Sequence, residues 1–498
     1  MAEQGNTQGK SLGELGLTAQ GGRNPFIAGL AVDSREVRKG YLFAALPGTK
    51  VHGASFIETA LEMGADAILT DAEGARIASG ALSRSDAALI VAEDPRQTLA
   101  YSAALWFGAQ PATMVAVTGT NGKTSVATFA RQIWTELGFD AVNLGTTGVE
   151  GAYRAPLHHT TPEPITLHRM LAACADAGIT HAAMEASSHG LAQRRLDGVH
   201  LKAAGFTNFT QDHLDYHASF DDYFRAKAGL FTRVLPEDGV AVVNIDDPRG
   251  QDIAGLAIER GQRVIRVGRL PLADLQLQGQ RFDATSQEIR FGFNGISHLV
   301  RLPLIGGFQA ENVLLAAGLV IGAGANAERV FETLPHLGTV RGRMQLAATR
   351  ANGATVFVDY AHTPDAVKTA LKALRPHVMG RLVAVVGAGG DRDRTKRPLM
   401  GQAAAENADL VIVTDDNPRS EDPAAIRQDV MMGCPEALEV GDRAEAILRG
   451  VDALGPGDAL LIAGKGHESG QVVGDVVYPF DDAEQASVAV SALDGGMA

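Results

Sequence analysis

Val117-Thr118-Gly119-Thr120-Asn121-Gly122-Lys123-Thr124-Ser125 combines the residue types that hold a phosphate chain. Glycines let the backbone wrap an anion, and a following helix aims its first N–H groups at it. Lys123 can neutralise phosphate charge, and the Thr124 hydroxyl suits Mg²⁺. Two residues separate Gly119 from Gly122, where the common phosphate loop has four. A plain glycine turn before a helix needs no lysine followed by two hydroxyl residues. Gly119, Thr120, Asn121, Gly122, Lys123, Thr124 and Ser125 are therefore the expected nucleotide contacts.

A metal beside Thr124 needs hard oxygen or imidazole ligands. Met184-Glu185-Ala186-Ser187-Ser188-His189 follows an expected strand and places an unpaired carboxylate at its end. Asn208-Phe209-Thr210-Gln211-Asp212-His213-Leu214-Asp215 follows the next strand and adds His213. Either residue alone would read as ordinary structure. At adjacent strand ends beside the loop, Glu185 and His213 read as lining one phosphate and Mg²⁺ site with Thr124.

Asp416-Asn417-Pro418-Arg419 lies just past the apolar run Leu410-Val411-Ile412-Val413. The Arg419 guanidinium is a rigid fork that fits a carboxylate two-pronged, which lysine cannot do. Pro418 stiffens the turn that aims it. Taken singly such a turn is a solvated loop cap; with the segments around it, it names an amino-acid substrate.

These groups need a scaffold that brings strand ends together. Residues up to about 105 read as a small mixed α/β unit, with short strands at Gly40 to Leu46 and Ala87 to Ala92. A new rhythm starts at Thr113-Met114-Val115-Ala116-Val117, followed by a helix with Val126, Phe129, Ile133 and Leu137 on one stripe. Further strands are expected at His181 to Ala186, Ala203 to Phe209 and Val240 to Ile245. Uncharged strands alternating with helices mark a doubly wound parallel sheet. Past Arg343 the pattern restarts, with strands at Thr355 to Val358, Leu382 to Val386, Leu410 to Val413 and Ala459 to Ala463, and a helix at Ala444 to Ala453. The expected fold is α/β in three domains: residues 1–105, a central P-loop domain 106–340, and a Rossmann-like domain 341–498. Ligands of open parallel sheets gather outside the carboxyl ends of the strands. In the third domain those ends carry Asp359 and His362, Arg392, Asp416 to Arg419, and Lys465 to Glu468.

At 498 residues the chain exceeds one core. A net charge of -14 disfavours a nucleic-acid binder, so an anionic substrate must be held by local cations and backbone N–H groups. Two cysteines, Cys174 and Cys434, exclude a disulfide framework and a thiolate cluster, and both read as buried small apolar residues. The first residues lack the pattern of a signal peptide, and the longest uncharged stretch, Gln97 to Gly122, is broken by Pro111. A cytoplasmic setting with no membrane partner is expected.

Taken together these residues resemble the Mur ligase family, the ATP-dependent amide-forming enzymes of peptidoglycan assembly. The markers are Gly119 to Thr124, Met184 to His189, His213 to His217, Lys227, Gly307 to Asn312, Arg341-Gly342-Arg343 and Asp359-Tyr360-Ala361-His362. The turn Asp416 to Arg419 matches the form that adds meso-2,6-diaminopimelate to UDP-N-acetylmuramoyl-L-alanyl-D-glutamate; the lysine-adding form differs there. The resemblance implies that Lys227 is carbamylated by CO₂, giving an anion that ligates or orients metal beside Lys123, Glu185 and His213. It implies that Asn312, Arg343 and Asp359 contact the adenine, a phosphate and the ribose of ATP. It assigns the UDP-muramoyl dipeptide to Ser34, Thr49, Lys50 and Val51 in the first domain, and to His159, Thr160, Thr161, Ser187, Gln193 and Arg195 in the second. Asparagine is common where His159 stands.

The implied reaction phosphorylates the D-glutamate γ-carboxylate, after which the incoming amine displaces phosphate. Arg419 is assigned to the distal carboxylate of diaminopimelate, Asp416, Asn417 and Glu468 to its ammonium and polar contacts, and Arg392 and Gly464 to the remainder. Pro418 belongs to the same turn. The expected small molecules are ATP with Mg²⁺, the UDP-muramoyl dipeptide and diaminopimelate, acting on a monomer. The rivals are the lysine-adding ligase, the D-alanyl-D-alanine-adding ligase, a folylpolyglutamate synthetase and a P-loop ATPase.

Overall fold

The computed structural model describes residues 9–48, 51–157, 159–210, 217 and 219–495. It divides into two compact units, Met1–Arg266 with Leu315–Asn326, and Val267–Leu314 with Ala327–Ala498. Both are built on parallel sheets flanked by helices, the architecture expected from uncharged strands alternating with amphipathic helices.

The first unit holds two main sheets, beside the two-stranded pair Lys10–Ser11 with Phe26–Ile27. Four parallel strands, Gly29–Ala31, Tyr41–Ala44, Ala65–Thr70 and Ala88–Val91, form a first lobe in chain order. The larger sheet runs Val240–Asn244, Ala203–Phe206, Thr113–Thr118, His181–Glu185, Ala141–Gly145, all parallel, and closes on the antiparallel edge strand Gly148–Gly151. Met114, Ala116, Ala204 and Val242 are fully buried, so these strands are covered on both faces. The helix Lys123–Glu136 lays Val126, Phe129 and Ile133 into this core. The expected strand Ala203 to Phe209 ends at Phe206. Beyond it, Thr207 Oγ1 donates to the Asn121 carbonyl (2.6 Å) and Asn208 Oδ1 accepts from Asn121 N–H (2.9 Å). These bonds draw the chain off the sheet and onto the phosphate loop.

In the second unit the strand order is Gln345–Thr349, Thr355–Asp359, Ala459–Ala463, Leu382–Val386, Leu410–Val413, Leu438–Glu439, parallel except for the first edge strand. An antiparallel meander, Leu275–Asp283, Ser286–Phe293 and Ile296–Leu302, has no counterpart among the expected strands. Its alternation of Leu or Ile with Gln and Arg gives a half-solvated sheet, unlike the continuous apolar runs of the parallel strands. Cys174 and Cys434 are both buried free thiols, as expected. Among the described residues no helix is long and apolar enough to cross a membrane.

His168, on the helix Pro164–Asp176, is 1% exposed, and its Nε2 has no hydrogen-bond partner among the described residues. Burial lowers its pKa to about 4. The unfolded chain takes up this proton near pH 6.5, whereas the native imidazole stays neutral until about pH 4. Its contribution to stability is therefore complete above pH 6.5 and is lost as pH falls toward 4, by roughly 3 kcal/mol. The denaturation midpoint of His168→Leu should consequently fall less between pH 7.5 and pH 5 than that of the native chain. Equal pH slopes would show that His168 carries none of it.

Candidate active site

In the first unit the phosphate loop joins the strand Thr113–Thr118 to the helix Lys123–Glu136. Gly119 sits at φ 144°, and a Cβ there would lie 1.8 Å from Thr207 Oγ1, so only glycine fits this turn. Lys123 Nζ donates to the carbonyls of Gly119 (3.0 Å) and Thr120 (2.8 Å). Lys227 lies in the last turn of the helix Phe220–Gly229, which Ser219 caps by accepting from Asp222 N–H (3.1 Å). Its ammonium is 1% exposed, donates to the Gly119 carbonyl at 2.6 Å and stands 4.5 Å from the Tyr223 ring centroid. Two ammonium groups thus converge on one carbonyl oxygen.

Glu185 ends the strand His181–Glu185 and is 2% exposed. Its carboxylate is not the unpaired group expected. Oε1 accepts from Thr124 Oγ1 (3.0 Å) and Thr146 N–H (2.8 Å), and Oε2 from Thr146 Oγ1 (3.3 Å). Among the described residues, hydroxyls and an N–H satisfy it. Thr146 continues the chain of contacts to Thr160 Oγ1 at 3.0 Å. Thr161 Oγ1 donates to the Glu185 carbonyl (3.0 Å) and accepts from Ser187 N–H (3.0 Å). Arg195 donates to the Thr161 carbonyl (2.6 Å) and to Gln193 Oε1 (2.8 Å). Gln193 and Arg195 line a cavity of about 150 Å³ together with Val32, Leu46 and Arg96 of the first lobe.

Of the expected residues in this unit, Thr124, Glu185, Thr160, Thr161, Ser187, Gln193 and Arg195 therefore form one connected set, with Lys123 and Lys227 at the loop. His159 is exposed and takes no part in these bonds. Ser34 is buried in the turn Ser34–Glu36, capped by Asp33, and Val51 is 55% exposed. Thr49, Lys50 and His213 lie outside the described residues. Thr146 was not anticipated; its only signal is Gly145-Thr146-Thr147-Gly148, a hydroxyl-bearing glycine turn after a buried strand. The donors beside the loop fit Mg²⁺: Thr124 and Glu185 present hard oxygens 3.0 Å apart, and Mg²⁺ bound to a nucleotide takes few protein ligands besides phosphate and water.

In the second unit the loops after three neighbouring strands are pinned by buried charge. Arg443 and Asp482 are both fully buried and joined by two 2.7 Å bonds. Arg443 also donates to the carbonyls of Ala463 (2.9 Å) and Asp415 (3.3 Å), which fixes the loops bearing Gly464 and Asp416. Lys465, fully buried, donates to Asn417 Oδ1 (2.8 Å) and the Gly470 carbonyl (2.7 Å). It lies 3.5 Å from Asp416 and 3.7 Å from Glu468. Burial lowers its pKa, while Asp416 pulls the other way. With Asn417 Oδ1 taken by Lys465 and by Val472 N–H (2.9 Å), the amide Nδ2 turns to Glu468 (2.9 Å). Gly464 leaves room for Asp416, whose Oδ2 would be 2.8 Å from any Cβ there.

Arg419 adopts φ 53° and is held through its backbone, its N–H to the Val472 carbonyl (3.0 Å) and its carbonyl from Gly474 N–H (2.7 Å). The hairpin Gly470–Val473 and Val476–Pro479, more than Pro418, therefore aims the side chain. Nη1 donates to the Gly390 carbonyl at 2.8 Å. Gly390 N–H in turn bonds the Asn417 carbonyl (2.9 Å), and Ser420 Oγ donates to Asp391 (2.6 Å), which brings exposed Arg392 alongside. Asp359 ends its strand beside Ala463 and accepts from Met344 N–H (2.7 Å). Burial raises its pKa against the pull of Arg343, whose guanidinium lies 4.6 Å from the Tyr360 ring centroid. Asn312 stands on a different element, the helix Phe308–Gly322, donating to Gln309 (3.0 Å).

Lys465 was seen only as part of a charged cluster; its full burial could not be read from a Gly-Lys-Gly sequence. Lys465→Met removes the cation shared by Asp416, Asn417 and Glu468 and should destabilise the chain by about 3 kcal/mol. Urea unfolding measures this, and a loss below 1 kcal/mol would contradict the role given to the ammonium.

A phosphate loop with oxygen donors on one α/β unit, and strand-end charge held by buried ion pairs on another, suit an enzyme that couples a nucleotide to the joining of small charged substrates. The chain belongs to the Mur ligase family. Residues 26–107 match the "Mur ligase family, catalytic domain", 117–320 the "Mur ligase middle domain", and 342–466 the "Mur ligase, glutamate ligase domain". The chain is 49% identical over 478 residues to UDP-N-acetylmuramoyl-L-alanyl-D-glutamate--2,6-diaminopimelate ligase of Caulobacter vibrioides, covering 95% of this chain and 97% of that one. It is 48% identical over 470 residues to the enzyme of that name from Agrobacterium fabrum, covering 94% of each. A solved structure of a ligase of the same name superposes with TM-score 0.72 at 34% identity, covering 97% of this chain and 99% of that one.

Proposed function

We propose that this chain joins meso-2,6-diaminopimelate to the γ-carboxylate of the D-glutamate in UDP-N-acetylmuramoyl-L-alanyl-D-glutamate, with ATP giving ADP and phosphate. The observation that carries this reading is the Asp416–Arg419 turn, locked by buried Lys465 and a hairpin, in a chain about half identical to enzymes of that name over nearly its whole length. A carboxylate does not accept an amine at neutral pH because oxide is too poor a leaving group. Transfer of the γ-phosphoryl group forms the acyl phosphate. The amine then attacks the carbonyl carbon, the C–O bond to phosphate breaks, and the amine loses a proton.

Lys123 and the N–H groups of Gly119 to Ser125 hold the transferring phosphoryl group, acting by position and charge. Thr124 and Glu185, with His213, would hold Mg²⁺, which would supply charge neutralisation for the phosphates. Carbamylation makes Lys227 an anion: a bond forms from Nζ to the CO₂ carbon and a proton is released. The conversion relieves the meeting of two ammonium groups at the Gly119 carbonyl, and it supports counting Lys227 among the metal-site residues. Asn312, Arg343 and Asp359 serve the adenine, a phosphate and the ribose. Ser34, Thr49, Lys50 and Val51 take the uridine end of the dipeptide substrate, and His159 to Thr161, Ser187, Gln193 and Arg195 its muramoyl-peptide end. Arg392, Asp416 to Arg419, Gly464 and Glu468 take the diamino acid.

This reading keeps three functional domains with boundaries near residues 105 and 340, acting as a monomer in the cytoplasm, where ATP and UDP-linked precursors are available. Incubation with the UDP-muramoyl dipeptide, ATP, Mg²⁺ and either diaminopimelate or lysine tests it by product mass. A diaminopimelate adduct with little lysine adduct is expected, and equal use of both would overturn the substrate assignment.

A further inference from the structure

We propose that Arg194 is a positioning residue that sets the spacing between the two grips on the UDP-muramoyl dipeptide. This rests on the substrate reading above. Arg194 stands between Gln193 and Arg195, at φ 61°, a backbone well that residues with a side chain rarely occupy. The turn sends its side chain away from the small cavity lined by its two neighbours and toward a second cavity of about 660 Å³, which Asp94 and Arg96 also line.

There Arg194 Nε binds Asp94 Oδ2 at 2.8 Å. Asp94 belongs to the first lobe and caps the helix Pro95–Phe107 by accepting from Gln97 N–H (3.1 Å). The other anchor is Asp197, whose carboxylate is 1% exposed and lies 3.5 Å from Arg194 Nη1. Asp197 accepts from Arg233 Nε with both oxygens (3.0 Å each) and from Gln97 Nε2 (3.2 Å). Arg233 donates to the Leu191 carbonyl (2.8 Å), two residues before Gln193.

The corner carrying Gln193 and Arg195 is therefore tied to the lobe that carries the Ser34 turn, by an ion pair and an amide that both issue from the start of one helix. A ligand held at both ends gains affinity from the fixed distance between its two sites, through the effective concentration of the second end once the first is bound. The Asp94–Arg194 pair, with the Gln97–Asp197 bond beside it, sets that distance. Loosening it should weaken the joined substrate while leaving each half unaffected.

The test uses the full chain with Arg194→Gln, Asp94→Asn and both together; asparagine keeps the acceptor that caps the helix. KM for the UDP-muramoyl dipeptide should rise about tenfold in each single variant, with little further rise in the double over Arg194→Gln, which already removes the Asp94 pair together with the longer 3.5 Å approach to Asp197. The inhibition constants of UDP alone and of the muramoyl dipeptide without UDP should stay within about twofold, with kcat, KM for ATP and the melting temperature unchanged. An unchanged KM for the joined substrate overturns the proposal. So does an equal loss for the fragments or a lowered melting temperature, which would mark a purely structural pair. A native chain that does not use the joined substrate at all would instead sink the substrate reading, and this inference with it.

Discussion

Lys227→Ala should lower kcat by about a thousandfold, the upper end of what removal of one preorganised charged group costs. Formate or acetate at millimolar concentration should restore part of the loss. Lys227 is buried on a capped helix, and its Nζ is 2.6 Å from the same carbonyl that Lys123 binds. As a second ammonium it would only add cationic charge where the proposed function already gives Lys123 to the phosphates. As a carbamate it supplies an oxygen anion, and a small carboxylate diffusing into the space left by alanine supplies the same group. Lys227→Met fills that space and should resist rescue. An alanine variant with nearly native turnover, or one that is folded and inactive yet indifferent to every short carboxylate, would remove the anion from the mechanism.

The second large effect is expected at Arg419. Arg419→Ala should lower kcat/KM for diaminopimelate by about a hundredfold or more, near 2.7 kcal/mol, while KM for ATP stays within twofold. Lysine should not rescue, because a point charge cannot grip a carboxylate with two parallel bonds. Arginine and alanine share the cost of φ 53°, so the alanine change reports the guanidinium and leaves the backbone strain where it was. Arg419→Gly relieves that strain and still removes the guanidinium. Near-native use of diaminopimelate by the glycine variant would mean that the fork does not hold the distal carboxylate.

The two predictions bear on different strand ends. Lys227 lies where the chain leaves the parallel sheet of the first unit to wrap a loop, and Arg419 where the loops of the second unit are tied by Arg443, Asp482 and Lys465. In the proposed function only the second set concerns which amino acid is used. Loss of ATP use and loss of amino-acid selectivity should therefore be separable by mutation.

What could be read from residue order alone was whatever depends on local pattern. Leu382–Val386, Leu410–Val413 and Ala459–Ala463 are strands over the expected residues, because an uncharged run bounded by turn residues has one stable place in an α/β fold, buried on both faces. The glycine loop at residues 119–125 and the Asp416–Arg419 turn can be picked out for the same reason, each being a run of consecutive residues. The partners of those residues were not legible. Thr146 meets Glu185 from 39 positions away, Lys465 meets Asn417 from 48, and Asp94 meets Arg194 across two lobes. Burial turns Glu185, Lys465 and Asn417 into fixed supports, and burial is a property of packed layers that a run of residues does not possess. The meander at 275–302 escaped notice on the same ground: its faces are told apart only once one of them is covered.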